Sequence, residues 1–425
     1  MKKVVVLGIN YAPEMTGIGK YTGEFCEFMT TEGYNVQVVT GHPYYPAWKG
    51  IGKTNSNWFC SENISGVSVW RCPLFIPNPK KTIQRILQDI SFFLSSFIAV
   101  TLLLFKRHKA DLFFIVSPSV LNGLTGLWYK FWHPGVKLVY HVQDLQIDAA
   151  SELGMIRKKK LLSFLKKTEL LIMRNADVVS TISEGMVKKI QAKSKDIKSP
   201  VLFPNWANNE KLFPCTPDHL FYQRYGLPAD KRIVLYSGSI GEKQGLDIIL
   251  DSAIAVGQQT DDIHFVISGT GPYFHILQTK SVDAGLKNLQ FLPLLDIEDY
   301  NQLLNAAWLH LVIQKEVAAD LLMPSKITSI AAAGGAVIAT ASPNTSLYQQ
   351  IHSHRFGWTI EPDNPYALTQ KIIWLNNENS QIELAKNNAL GYANQYIRKE
   401  KVIRDFLSAV LIPDLRENNT ILQTN

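Results

Sequence analysis

Cysteine is scarce: Cys26, Cys60, Cys72 and Cys215 lie far apart in 425 residues, with no Cys-x-x-Cys pair. That pattern excludes a thiolate zinc site and fits a reducing compartment. A spanning run is missing too. The longest uncharged apolar stretch, Ile90–Phe105, has 16 residues, whereas a membrane-crossing helix needs about 20. It is expected to be a mostly buried helix of a first domain, with one face near lipid. The opening MKKVVVLGINYAPE has too short an apolar run for a signal peptide and reads as a first strand. The dinucleotide fingerprint is incomplete: Gly17-x-Gly19 has Thr22 where a third glycine belongs. The second strand then ends in Thr40-Gly41-His42, with no acid for a ribose. A nicotinamide or flavin dehydrogenase is therefore disfavoured.

What remains is a globular composition, 46% hydrophobic and 19% charged, long enough for two to three domains. The net charge of +7 conceals an asymmetry. Met1–Asn205 holds 26 basic against 14 acidic residues, and Trp206–Asn425 holds 17 against 22. The sharpest block, Ile156–Ser199, has 12 basic and 4 acidic residues. A basic half and a mildly acidic half point to two domains, one of them facing an anionic surface.

Apolar runs of strand length alternate with helical lengths along the whole chain, the pattern of doubly wound α/β domains. Lys3–Ile9 is a strand and is followed by the Gly17–Gly19 loop, a helix to Thr31 and a strand at Val36–Thr40. The two glycines serve either a phosphate loop or a tight, closely packed turn. His42–Lys81 reads as a long aromatic loop that could stack on sugar rings or pack as a lid. Leu112–Val116 and Lys137–Tyr140 are buried strands. His141, Gln143 and Asp144 leave the second of them at the edge where parallel sheets bind ligands. His141 is a site candidate on position, and a satisfied structural histidine is the competing reading. Arg157–Asn175 is a basic amphipathic helix, either a membrane-surface element or a solvated face. Val178–Ile182 and Val201–Phe203 complete the first domain, 1–205.

The second domain, 206–390, carries strands at Ile233–Ser237, His264–Ser268, Leu289–Leu292, Leu309–Ile313 and Ala336–Ala341. Two glycine loops, Gly238–Gly245 and Gly269–Pro272, converge on one sheet edge with the stretch MPSKITSIAAAGGAVIAT. That stretch places Ser325 as an N-cap, a short helix of small residues, a Gly334-Gly335 stop and a buried strand. A helix start offers free N–H groups and about +0.5 of charge, so it suits a phosphate, and Lys326 adds a full cation. Helices at Pro365–Leu375, Ile382–Tyr396 and Glu400–Leu411 close the chain, with 391–425 as a helical tail that packs back.

The motifs NYAPEMTGIGKY, HVQDL, STISEGM, PNWAN, YSGSIGEKQGL, VISGTGP and MPSKITSIAAAGGAVIATA follow one another in an order that is similar to the retaining GT-B glycosyltransferases of family 4. The likeness is greatest to the colanic-acid and O-antigen type. It runs over almost the whole length and implies two Rossmann-like domains facing across a cleft. By this resemblance, Lys243, Lys326 and Asp144 are expected to carry catalysis. Gly17, Gly19, Gly238, Ser239, Gly269, Gly271, Asp320, Ser325 and Ser329 would bind the donor, and His141 and Gln143 would lie on the acceptor side. The family's glutamate pair, eight residues apart, falls here on Leu321 and Ser329, with Glu316 or Asp320 as substitutes. Gln143-Asp144 stands where many members have His-Asp.

The resemblance implies sugar transfer from a nucleotide sugar to a lipid-linked saccharide, with no cofactor and no metal. The absence of any Asp-x-Asp agrees with that. The leaving diphosphate would be stabilised electrostatically and would take the acceptor proton. The expected partners are a nucleotide sugar, a lipid-linked acceptor and an anionic membrane surface, with no nucleic acid. The expected place is the cytoplasm, peripheral on the inner face of the plasma membrane. Two alternatives stand beside this one: a nucleotide-sugar epimerase of the same fold, and a catalytically silent binding subunit.

Overall fold

A computed structural model describes residues 2–14, 17–44, 48–50, 58–77, 82–105, 109–152, 158–316 and 324–411; Thr82, Ile83 and Lys243 are described in backbone only. The chain divides into two units, Met1–Pro204 with Ile403–Asn425, and Asn205–Val402.

In the first unit, β1 (Lys3–Leu7) leads to α1 (Gly17–Thr31) and β2 (Asn35–Gly41). Val4, Val5, Val6 and Leu7 are fully buried, as a central strand covered on both faces requires. The segment expected to be a loop instead contains a hairpin, β3 (Cys60–Ile64) and β4 (Val67–Cys72). Its two-residue turn, Ser65-Gly66, has both φ angles positive, 49° and 82°, the twist that antiparallel ribbons favour. Polar residues alternate through β3 because it is the sheet edge, which weakens its apolar signal. The unit continues with α2 (Thr82–Phe105), β5 (Leu112–Ser117), α3 (Asn122–Trp132), β6 (Lys137–Val142) and α4 (Gln146–Glu152). It ends in α5 (Lys159–Asn175), β7 (Val178–Thr181), α6 (Glu184–Lys193) and β8 (Val201–Leu202). Ser183 caps α6, its side chain accepting from the Met186 amide. The strand order is β3-β4-β2-β1-β5-β6-β7-β8, parallel except for β3. The winding direction reverses between β1 and β5, so the loops that leave those strands flank a crevice.

Helix α2 corrects two expectations. It starts eight residues earlier than the apolar run, and only 39% of its most apolar window is buried. By length and composition the stretch Gln84–Phe105 could cross a membrane.

The second unit opens with α7 (His219–Tyr225), β9 (Arg232–Ser239), a 3-10 turn at Glu242–Gln244, α8 (Asp247–Gly257) and β10 (Ile263–Thr270). It continues with α9 (Phe274–Asp283), β11 (Leu289–Leu292), α10 (Ile297–Ala306), β12 (Ala307–Val312), α11 (Lys326–Ala332) and β13 (Val337–Thr340). Then follow α12 (Ser346–His354), β14 (Gly357–Ile360), α13 (Pro365–Asn376), α14 (Asn379–Tyr396) and α15 (Lys399–Leu411). The six strands are parallel in the order β11-β10-β9-β12-β13-β14, and β14 was not anticipated. The reversal here lies between β9 and β12. Asn364 caps α13 with Pro365 at its first turn, where a missing N–H costs nothing. From Ile403 onward α15 belongs to the first unit, where Phe406 stacks on Phe203 at 3.9 Å.

Each core is a run of fully buried Val, Ile, Leu and Phe, worth about 1.5–3 kcal/mol per side chain. In the second unit the small residues of α11 let it approach its neighbours closely. Gly334, at φ +74°, ends the helix, and a side chain there would meet Leu390 of α14 at 3.0 Å. The Gly335 amide returns to the Ile330 carbonyl at 2.8 Å, which closes the turn into β13.

Candidate functional site

The edge of the second sheet at its winding reversal collects Gly238 and Ser239 from the end of β9, Gln314–Glu316 from the end of β12, and Lys326 from the start of α11. The end of β12 is pinned. Thr340 Oγ1 donates to the Gln314 carbonyl at 2.7 Å and accepts from its amide at 2.8 Å. The Tyr236 hydroxyl donates to the Ser239 carbonyl at 2.7 Å and fixes the other side.

Lys326 is the unusual member. Its stem is partly exposed, but its ammonium nitrogen is shut off from solvent and has no hydrogen-bond partner among the described residues. The nitrogen lies 3.5 Å from the centre of the Tyr236 ring. A Cβ on Gly238 would meet Lys326 Cε and Nζ at 3.1 Å, so the glycine, at φ +135°, is what admits the lysine beneath the loop. Burial brings the amine down to about 7 from its ordinary 10.5. A desolvated cation–π contact returns about 2 kcal/mol or more, against several kcal/mol for burying an ammonium without an anion. A nearby phosphate oxygen would supply the missing partner.

The other expected residues divide by environment. Gly269 and Gly271 lie under the β9 loop. A Cβ on Gly269 would come 1.9 Å from the Gly238 carbonyl, and one on Gly271 would come 2.1 Å from that of Ile240. Both are accounted for by backbone packing that shapes the loop. Ser239 and Ser325 are exposed and Ser329 is buried. Ser325 occupies the cap position of α11 in an αR conformation and makes no side-chain cap bond, contrary to expectation. The Lys243 backbone lies in the 3-10 turn, and Asp320 falls outside the described residues. Sequence reasoning passed over Lys315, whose stem packs 3.1 Å from the Cβ position of Gly245 and brings a second lysine to this edge. Its place directly after a buried strand was the available signal.

In the first unit, Gly17 opens α1 at φ +62°. Gly19 makes room for Glu14, whose Cβ would lie 2.9 Å from an added one. Glu14 is 3% exposed and holds the loop together, accepting from Asn10 Nδ2 at 2.8 Å and from the Tyr44 amide at 3.0 Å. Asp144 is half-buried at the end of β6. His141 is enclosed. Its Nδ1 is 2.9 Å from Ser180 Oγ and its Nε2 is 2.9 Å from the Gln143 amide nitrogen. It stacks on Phe114 at 5.5 Å, and burial lowers its pKa to about 3. Both ring nitrogens of this neutral imidazole are thus partnered, one of them by Gln143.

Residues 16–206 match the Glycosyl transferase 4-like domain family, and residues 220–393 match Glycosyl transferases group 1. The chain is 36% identical over 417 residues to the putative colanic acid biosynthesis glycosyl transferase WcaI of Escherichia coli (strain K12), covering 96% of this chain and 99% of that one. Among solved structures, Anabaena HepE in complex with UDP and glucose superposes with a TM-score of 0.70 at 15% identity, over 97% of this chain and 100% of HepE. WaaG, a glycosyltransferase involved in lipopolysaccharide biosynthesis, gives 0.68 at 14% identity, over 96% of this chain and 99% of WaaG.

Proposed function

Because this chain belongs to the GT-B glycosyltransferases of family 4, related to enzymes of colanic acid and lipopolysaccharide biosynthesis, we propose a specific transfer. A sugar moves from a nucleotide-sugar donor to a lipid-linked oligosaccharide in exopolysaccharide (colanic acid-like) or O-antigen assembly. Configuration is retained and no metal is required. The second unit binds the donor, and the first takes the acceptor near an anionic membrane on the cytoplasmic side.

The observation that carries this reading is the buried ammonium of Lys326 at the winding reversal of the second sheet, without a hydrogen-bond partner among the described residues. As the glycosidic C–O bond breaks, negative charge grows on the departing diphosphate. A cation already stripped of water stabilises that charge without reorganisation. Lys326 and Lys243 supply positive charge, and Ser325 and Ser329 contribute hydroxyls from the start of α11 and its first turns. The acceptor hydroxyl forms the new bond on the face the diphosphate leaves, and its proton passes to a diphosphate oxygen. His141 takes no part as a base, since burial leaves it weakly basic and Ser180 and Gln143 occupy its ring nitrogens. Asp144, at the ligand-facing edge of the first sheet, orients the acceptor.

The test is a thermal-shift and donor-hydrolysis screen against UDP-, GDP- and dTDP-sugars, with and without a chelator. One donor should stabilise and be turned over in the presence of chelator, and the anomer released onto an acceptor should match that of the donor. A shift without turnover of any donor would sink the reading in favour of a silent binding subunit, and no shift at all would sink both. An epimerised sugar with no transfer would sink the reading in favour of the epimerase.

A further inference from the structure

We propose that the outer face of α2, α3 and α5 in the first unit is a bilayer-docking surface, on which α2 lies in the plane of the membrane interface. This deepens the lipid-linked acceptor reading by naming the surface that meets the lipid.

Along α2 the exposed large apolar residues are Leu87, Ile90, Leu94, Ile98, Leu102 and Phe105. Their steps of three and four residues make a single helical stripe, about 27 Å long. Leu94 is 56% exposed and Phe105 79%. The opposite side is committed to the protein: Phe92, Ser96, Ala99 and Val100 are fully buried. Trp128 of α3 donates its indole N–H to Thr101 at 3.2 Å, which ties the two helices together. A helix that crossed the bilayer would have to pull this inner face off the sheet. One lying flat keeps it and immerses only the stripe.

The neighbouring helices extend the surface. Helix α3 packs on both α2 and α5. Its end presents Phe131, 71% exposed, and Trp132, 56% exposed, around Trp128. Helix α5 presents Phe164 and Leu171, one heptad apart, among the exposed Lys159, Lys160, Lys166 and Lys167. Aromatic rings beside an apolar stripe, with lysines at the margin, match the layering of a membrane interface. A second copy of the chain fits less well. The stripe holds no carboxylate, so the lysines would meet uncharged or like-charged helices, whereas an anionic headgroup layer supplies their counter-charge.

The experiment uses the full chain with vesicles of phosphatidylcholine, with or without phosphatidylglycerol. Flotation should show binding that is stronger on the anionic vesicles and weakened by salt. Leu94→Glu with Ile98→Glu should lower partitioning about tenfold or more on both compositions. Lys166→Gln with Lys167→Gln should remove only part of the anionic preference and its salt sensitivity. Membrane-bound protein should be released by alkaline carbonate; resistance would refute the in-plane arrangement in favour of a span. Donor hydrolysis should survive all four substitutions, which separates the two readings. Hydrolysis without vesicle binding ends the docking proposal alone, and binding without any donor turnover ends the transferase reading alone. A dimer that the Leu94 and Ile98 variants dissociate, with no effect on vesicles, would reassign the face to self-association.

Discussion

Replacing Lys326 with Met should make the free protein more stable and the donor complex weaker. The perturbation removes the ammonium and keeps the apolar stem. With the amine at about 7 against an ordinary 10.5, the native state holds it at a cost of about 5 kcal/mol as an upper figure, nearly all of it present at pH 7. Water penetration and relaxation bring the expected gain for Lys326→Met to about 2 kcal/mol. The sign with pH follows from the lowered value. Between about pH 7 and 10.5 the unfolded chain binds more protons than the folded one, so wild-type stability rises with pH through that window. Below about 7 the full penalty is present, and the advantage of the variant is largest there. Urea denaturation of both proteins across this range measures it.

Donor binding should move the opposite way. A phosphate oxygen close to the amine restores its charge, so binding above pH 7 takes up a proton. Loss of that contact should weaken nucleotide-sugar affinity about a hundredfold, the scale of a charge-assisted bond of about 3 kcal/mol. Titration calorimetry in buffers of different ionisation heat reads both the affinity and the proton. A Lys326→Met protein that is less stable than wild type and binds the donor equally well would refute the reasoning, for then the lysine would be a packing residue.

Other consequences are independent of the donor. Gly269→Ala places a methyl 1.9 Å from a backbone carbonyl at φ +145° and should cost at least 3 kcal/mol or prevent folding; Gly226→Ala, at φ +62° with nothing within 4 Å, should cost about 1 kcal/mol. Comparable urea midpoints for the two would contradict the account of the β9–β10 edge. His141 and His310, both lowered to about 3 by burial, should stay neutral in the folded state at pH 5, and acidification below about 6.5 should cost stability as the unfolded chain takes up their protons. An imidazolium signature for His141 in nitrogen-edited NMR between about pH 5 and 7 would reject its enclosure.

Sequence by itself determined the architecture. Buried parallel strands are short unbroken apolar runs, and the helices between them are longer and amphipathic, so two doubly wound halves could be read from local pattern. The order of the glycine loops and of HVQDL, PNWAN and MPSKITS marked the family. The β3–β4 hairpin and β14 escaped this reading: β3 is a polar-alternating edge, and β14, an edge strand with Gly357 and Thr359, buries only Ile360, so neither makes a buried run.

Only the tertiary structure decided what the polar residues do. Nothing in MPSKITS says that the Lys326 amine lies on the Tyr236 ring beneath Gly238, because those surroundings come from some ninety residues away. Nothing in HVQD says that His141 stacks on Phe114 and lies 2.9 Å from the Ser180 hydroxyl. Nothing in VISGTGP says that the backbone of Gly238 and Ile240 presses on Gly269 and Gly271. Helix α2 is apolar on both sides, so its composition could not separate the face that packs from the face that is left exposed. Periodicity is a property of a segment and survives in the sequence. Desolvation, partnering and exposure are properties of what the rest of the chain brings alongside, and they exist only once it has folded.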